Sequence, residues 1–284
     1  QPEAFEGIVT ASQRVWGIFK YLGTLTLLHS SIYGNTTPRG GGGIESSSTA
    51  ITLIQSSVYQ NSAGDFGGGI DAPQALALIL DQSSVYDNRA QKGGGGIVAV
   101  NVTLDRSHVY SNTATATNAL GGGIIVTGTG TFTMTPQSSV HHNRAGGDGG
   151  GIWSSAAKAT IAGATIDANT AGGNGGAIWT SGTVTVTNSS MSANQAAKGG
   201  ALYVNSGTLT LIASTLARNV ALAVSGAIFN LTRVVLTQSR VTANSANVNG
   251  AGVYNQGVIT SATSTFQLNT ATREGGAVYN AGTL

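Results

Sequence analysis

The sequence predicts an all-β fold, a single parallel β-helix of about 25 residues per coil. Three observations predict it. An apolar residue stands three places before an asparagine ten times, at Asn35, Asn61, Asn88, Asn112, Asn143, Asn169, Asn194, Asn219, Asn244 and Asn269. The last six asparagines are spaced 26, 25, 25, 25 and 25 residues apart. A glycine-rich step follows each asparagine after about nine residues, and Thr alternates with aliphatics ahead of it. Self-similarity at this period marks a solenoid, in which each repeat buries its apolar face against its neighbours.

The elements follow in order. Residues 1–15 fit the repeat poorly and are expected to form an N-terminal cap or lead-in arm. The repeat domain runs over 16–284, roughly ten to eleven coils. Each period opens on an alternating segment such as Thr24-Leu25-Thr26-Leu27 or Thr183-Val184-Thr185-Val186, the signature of a strand with one buried face. A second segment reads Ser-x-apolar-x-x-Asn, as in Ser56-Ser57-Val58-Tyr59-Gln60-Asn61. The third is the glycine step, as in Gly67-Gly68-Gly69-Ile70. None is long enough for an ordinary helix, and the glycines oppose one. Three strands per coil are therefore expected, stacked about 4.8 Å apart, so that ten coils extend over roughly 48 Å. The crossover rule makes a right-handed helix the expectation.

Stacking turns sequence positions into columns. Ile32, Val58, Val85, Val109, Val140, Ile166, Met191, Leu216, Val241 and Phe266 form one core stack. The asparagines are expected to take left-handed turn conformations and to bond amide to amide from coil to coil. Alanine recurs two residues after nine of the ten asparagines, where a small side chain lets the turn pack closely. Thr26, Thr52, Thr103, Thr133, Thr160, Thr185, Thr210 and Thr260 form an outward column.

Composition narrows the function classes. Charged residues make up 8% of the chain, far below the roughly 25% of ordinary globular proteins. A net charge of +2 with no Lys/Arg run gives no nucleic-acid footprint. The absence of cysteine excludes disulfides and zinc thiolates, and no cofactor or metal is expected. No run of 18 apolar residues occurs, so no membrane-spanning helix is expected.

Two sets of residues stand out as candidate sites. Trp153, Trp179, Tyr203, Phe229, Tyr254 and Tyr279 follow the glycine-step aliphatic in six successive coils. They read either as stacking between coils or as a contact surface for glycan rings or another protein. Earlier coils carry Tyr33, Tyr59, Tyr86, Tyr110 and then His141 at another position. The weak catalytic candidates are Asp81 and Asp105, which share a position in adjacent coils and are followed by Arg106 and His108. Their expected separation of about 5 Å suits a retaining glycosidase, but no third carboxylate aligns with them. The chain stops at Thr283-Leu284, which matches the opening of a first strand such as Thr24-Leu25. It reads as a piece of a longer chain or as a subunit whose strand edge joins the next copy head to tail.

The paired motifs GGA[I/L/V] and FxxN carry a family resemblance. The first is intact at Gly175–Ile178, Gly199–Leu202 and Gly275–Val278, and appears as GGGI at Gly67–Ile70, Gly121–Ile124 and Gly149–Ile152. The second is strict at Phe266–Asn269, with Val, Ile, Met or Leu replacing Phe elsewhere. These repeats resemble those of the chlamydial polymorphic outer-membrane proteins and related bacterial β-helix proteins. The resemblance implies an extracellular or cell-surface setting and, for its members, adhesins carried by an autotransporter barrel. The leading expectation is a non-enzymatic structural β-solenoid, the subunit of a surface filament or stalk. An adhesin passenger binding glycan or host protein is the second, and a polysaccharide lyase or hydrolase the third.

Overall fold

A computed structural model describes residues 4–5, 8–10, 17–20, 23–47 and 50–284. They form a parallel β-solenoid with no helix among the described residues. Four sheets run the length of the solenoid, three of eleven strands and one of ten. Every pairing within them is parallel and joins neighbouring coils. One early coil shows the pattern: Thr24–Leu28 in the first sheet, Ser31–Tyr33 in the second, Thr36–Thr37 in the third and Ile44–Ser46 in the fourth. The sequence predicts three strands per coil, and the structure has four. The third strand is mostly two residues long, too short to show a period, and its inward residue is the alanine two places after nine of the asparagines and Thr37 after Asn35. Of the segment 1–15, Ala4–Phe5 pairs with Thr26–Leu27 and Ile8–Thr10 with Ser31–Tyr33. The rest of that segment lies outside the described residues.

The core lies where the inward columns of the first, second and fourth sheets meet. Ile32, Val58, Val85 and Val109 stack in register in the second sheet and are fully buried. Ala221, Ala246 and Ala251 form a second, smaller cluster behind the third sheet. An alanine column keeps that sheet close to the coil interior, and it leaves no room for larger side chains.

Both corners flanking the second sheet use one device. The residue before each ladder asparagine takes a left-handed conformation: Gln60 has φ 54°, Asp87 54° and Arg218 54°. The sequence analysis assigns this conformation to the asparagines themselves, and the structure moves it one residue earlier. The asparagine side chain instead holds the corner. Asn61 Oδ1 accepts both the backbone N–H and the amide N–H of Asn35, while Asn61 Nδ2 donates to the Ile32 carbonyl, at 2.9–3.0 Å. The same bonds repeat coil by coil to Asn269. The opposite corner carries a serine ladder. Ser56 Oγ accepts the Ser30 N–H and donates to the Ile54 carbonyl, and Gln55 before it has φ 47°. A left-handed L-residue costs about 1–2 kcal/mol, offset here by the side-chain bonds that the Asn and Ser ladders make to buried backbone groups at the turn.

The glycine step has two separate reasons. Gly175 takes φ +67°, and a Cβ on Gly176 would lie 2.2 Å from the Gly200 carbonyl oxygen of the next coil. The third position is less tight: a Cβ on Gly69 would lie 2.8 Å from the Gly96 carbonyl oxygen, and Ala177, Ala201 and Ala227 are accepted there and fully buried.

Candidate contact surfaces

The six aromatic residues predicted to line up share one outward column of the fourth sheet, in unbroken register from Trp153 to Tyr279. Adjacent strands place successive rings one coil apart, which is stacking distance. Trp153 and Trp179 stack with centroids 5.0 Å apart and planes 6° from parallel. Tyr203, Phe229, Tyr254 and Tyr279 stack at 4.9, 5.1 and 4.8 Å. Phe229 is buried, with the Lys198 ammonium 5.7 Å from its ring centre, while the other five are partly exposed. The column is therefore both a stacking element and an accessible surface. Burial raises the Tyr203 phenol above its ordinary pKa.

The column does not begin at Trp153. The same register continues back through Ile125, Val98, Asp71 and Glu45 to Phe19. Where it turns aliphatic, an apolar cleft of about 370 Å³ opens between Phe66, Val98, Leu120, Ile125 and Trp153, with Asp71 at its polar end. Burial, followed by repulsion from Glu45 and Asp65, pushes Asp71 up to about 6. Asp71 Oδ1 and Glu45 Oε2 are buried without a hydrogen-bond partner. Sequence reasoning passed over this carboxylate pair. The signal for it was the alignment of Glu45 and Asp71 with the aromatic positions.

The second column lies on the second sheet. Tyr33, Tyr59, Tyr86, Tyr110 and His141 stack at 4.7, 4.8, 4.8 and 5.0 Å. Burial raises the phenols of Tyr59, Tyr86 and Tyr110 and lowers the His141 imidazole.

Asp81 and Asp105 are brought together in adjacent first-sheet strands, as their spacing predicts. Arg106 Nη2 bridges them, 2.9 Å from Asp81 Oδ1 and 2.9 Å from Asp105 Oδ2. Thr135 Oγ1 donates to Asp105 Oδ1 at 2.6 Å, and this bond, helped by Arg106, holds the Asp105 carboxyl below its ordinary range. General acid catalysis needs a carboxyl that keeps its proton near neutral pH, and Asp105 is tuned the other way. His108 turns to Ser139, with Nδ1 2.8 Å from Oγ. No cluster of three metal-ligating side chains occurs among the described residues.

The ten ladder asparagines lie inside rather than on a surface, and nine of them are buried. Their work is structural.

The model of the Chlamydia polymorphic membrane protein repeat matches residues 263–281. That stretch holds both Phe266–Asn269 and Gly275–Val278. No curated protein and no solved structure matches the chain. The matched repeat, recurring in looser form through a parallel β-solenoid, makes this chain similar to the β-helix surface proteins of the polymorphic membrane protein type.

Proposed function

We propose that the chain is a non-enzymatic, extracellular β-solenoid that serves as a rigid stalk or filament segment on a cell surface. The observation that carries this reading is the asparagine ladder, which runs unbroken from Asn35 to Asn269 and ties each coil to the next. With the serine ladder and four parallel sheets, it makes a stiff rod and leaves little freedom for a closing active site. Strand edges at the last coil, beside the apolar side chains of Ile259, Phe266 and Val278, suit stacking by a further coil, including one from a second copy. The surface setting rests on the polymorphic membrane protein repeat.

Negative-stain electron microscopy of the purified chain tests this. Straight rods near 50 Å long, or filaments with that axial repeat, are the expected outcome. Flexible or compact particles overturn it. Depolymerisation of a polysaccharide that is lost in Asp105→Asn would replace it with the enzyme reading.

A second reading, an adhesin that binds glycan or a surface protein, is favoured by the partly exposed Trp153 at the mouth of the apolar cleft. Aromatic faces beside a polar group suit the apolar face of a sugar ring. Tryptophan fluorescence that responds to a neutral glycan panel in the wild type, and not in Trp153→Ala, would support it.

A further inference from the structure

The third sheet carries a feature that no aromatic column explains. Its outward column reads Ser62, Arg89, Thr113, Arg144, Thr170 and Gln195 in consecutive coils. Arg89 and Arg144 are 55 positions apart in sequence (144 less 89) but only two coils apart in the solenoid. Two coils are roughly 10 Å. Both side chains are exposed, and neither forms an ion pair or side-chain hydrogen bond among the described residues. Lys92 and Arg106, by contrast, are held by Asp65 and by Asp81 with Asp105.

A trough of about 610 Å³ lies beside this column. Its shape follows from one insertion and two glycines. Most coils take four residues from the inward alanine to the glycine step, as from Ala90 to Gly94, but seven separate Ala114 from Gly121. The extra residues raise Thr115–Thr117 as a wall at one end. Leu222, 55% exposed, stands at the other. Between them the matching positions are Gly146, Gly172 and Ala197. A Cβ on Gly146 would lie 2.0 Å from the Ala116 carbonyl oxygen, and one on Gly172 would lie 2.1 Å from that of Gly146. The floor is therefore kept bare by packing. Four coil steps separate the walls, roughly 19 Å.

The lining is guanidinium, hydroxyl and amide: Arg89, Arg144, Thr113, Thr117, Thr170 and Gln195, with no carboxylate. We propose that this trough binds an anionic polysaccharide, with Arg89 and Arg144 each taking a sulfate or carboxylate group along the chain. Free guanidiniums offer paired donors matched to such anions. The threonine hydroxyls and the Gln195 amide suit sugar hydroxyls. An acidic peptide fits less well, because backbone groups along the trough already bond coil to coil, as from Gly172 N–H to the Ala145 carbonyl and Gly173 N–H to that of Gly147. No free strand edge is left to receive a peptide backbone. The site is independent of the rod-like role and of the aromatic cleft on the fourth sheet.

Fluorescence anisotropy with labelled heparin oligosaccharide, oligogalacturonate, dextran and poly-glutamate tests the proposal. At least one of the two anionic glycans binds, weakening with salt, and dextran does not. Which anionic glycan binds better tells whether sulfate or carboxylate is the preferred group. The double variant Arg89→Gln/Arg144→Gln loses about tenfold or more in affinity. The control Arg233→Gln/Arg240→Gln removes two other exposed arginines and changes binding less than about twofold. Matching melting curves establish that both variants fold. Equal losses in the two double variants would mean diffuse charge attraction and overturn the site. Absence of binding by both anionic glycans, or equal and Arg89-dependent binding of poly-glutamate, overturns the ligand class.

Discussion

Asp71 lies in register with Glu45 of the preceding coil, and each carboxylate buries one oxygen that finds no hydrogen-bond partner. Two acids in this position oppose ionisation. Burial first, then the charges of Glu45 and Asp65, raises Asp71 to about 6.

An acid raised in the folded state costs stability once it ionises. The cost is absent below the ordinary carboxylate pKa near 4, grows as pH rises and is complete above about 6. Asp71→Asn therefore stabilises the protein at pH 7.5 by on the order of 2 kcal/mol and has little effect at pH 4. Thermal melts at the two pH values check this, and a variant no more stable than wild type at pH 7.5 contradicts it.

Trp153 and Trp179 are stacked nearly parallel at 5.0 Å. Two indoles in this arrangement couple their transitions, so the protein gives a paired band of opposite signs in circular dichroism. Trp179→Leu abolishes the pair and leaves the melting temperature within a few degrees, because the site is only partly buried. A pair that survives the substitution would show that the rings do not stack.

Asn194→Ala removes the acceptor of the Asn169 backbone and side-chain N–H groups, and the donor to the Ile166 carbonyl. The stranded groups are buried, and the loss is about 3 kcal/mol. Asn269→Ala strands the same groups of Asn244 where the ladder is partly open to water. Its loss is nearer 1 kcal/mol. Urea denaturation of the two variants measures the difference, and equal losses would rule out burial as the cause.

The Asp105 carboxyl is held low by the Thr135 hydroxyl and by the hydrogen bond and charge of Arg106. Thr135→Val thus moves its titration up toward the ordinary carboxylate range, and so does Arg106→Gln. Carboxyl chemical shifts followed against pH by NMR check both. A titration that Thr135→Val leaves in place would show that the hydroxyl does not hold the carboxylate.

The inward columns were legible in the sequence because stacking converts a period into a register. Val58, Val85 and Val109 could be placed above one another from their spacing alone. The glycine step and the Asp81–Asp105 pair were legible for the same reason. The third sheet was not, since two-residue strands such as Ser62–Ala63 carry no alternation to detect. The left-handed corners were missed because they fall on Gln60, Asp87 and Arg218, residue types with no turn signature in common. Their conformation is imposed by the Asn and Ser side chains that follow. The arginine trough left a trace in the recurrence of Asn-Arg-Ala at Asn88–Ala90 and Asn143–Ala145. Its bare floor and end walls needed the fold.

The coil-to-coil hydrogen bonds of the asparagine and serine ladders point along the axis of the rod. Tension applied at the two ends therefore pulls on them directly, and an outermost coil has neighbours on one side only. Under load the rod would yield from an end, one coil at a time. In the regular stretch from Asn169 to Asn269 each event frees 25 residues, about 85 Å of extended chain. A tether built this way lengthens in equal steps and dissipates work at each one, and slack coils can wind back onto the template that remains.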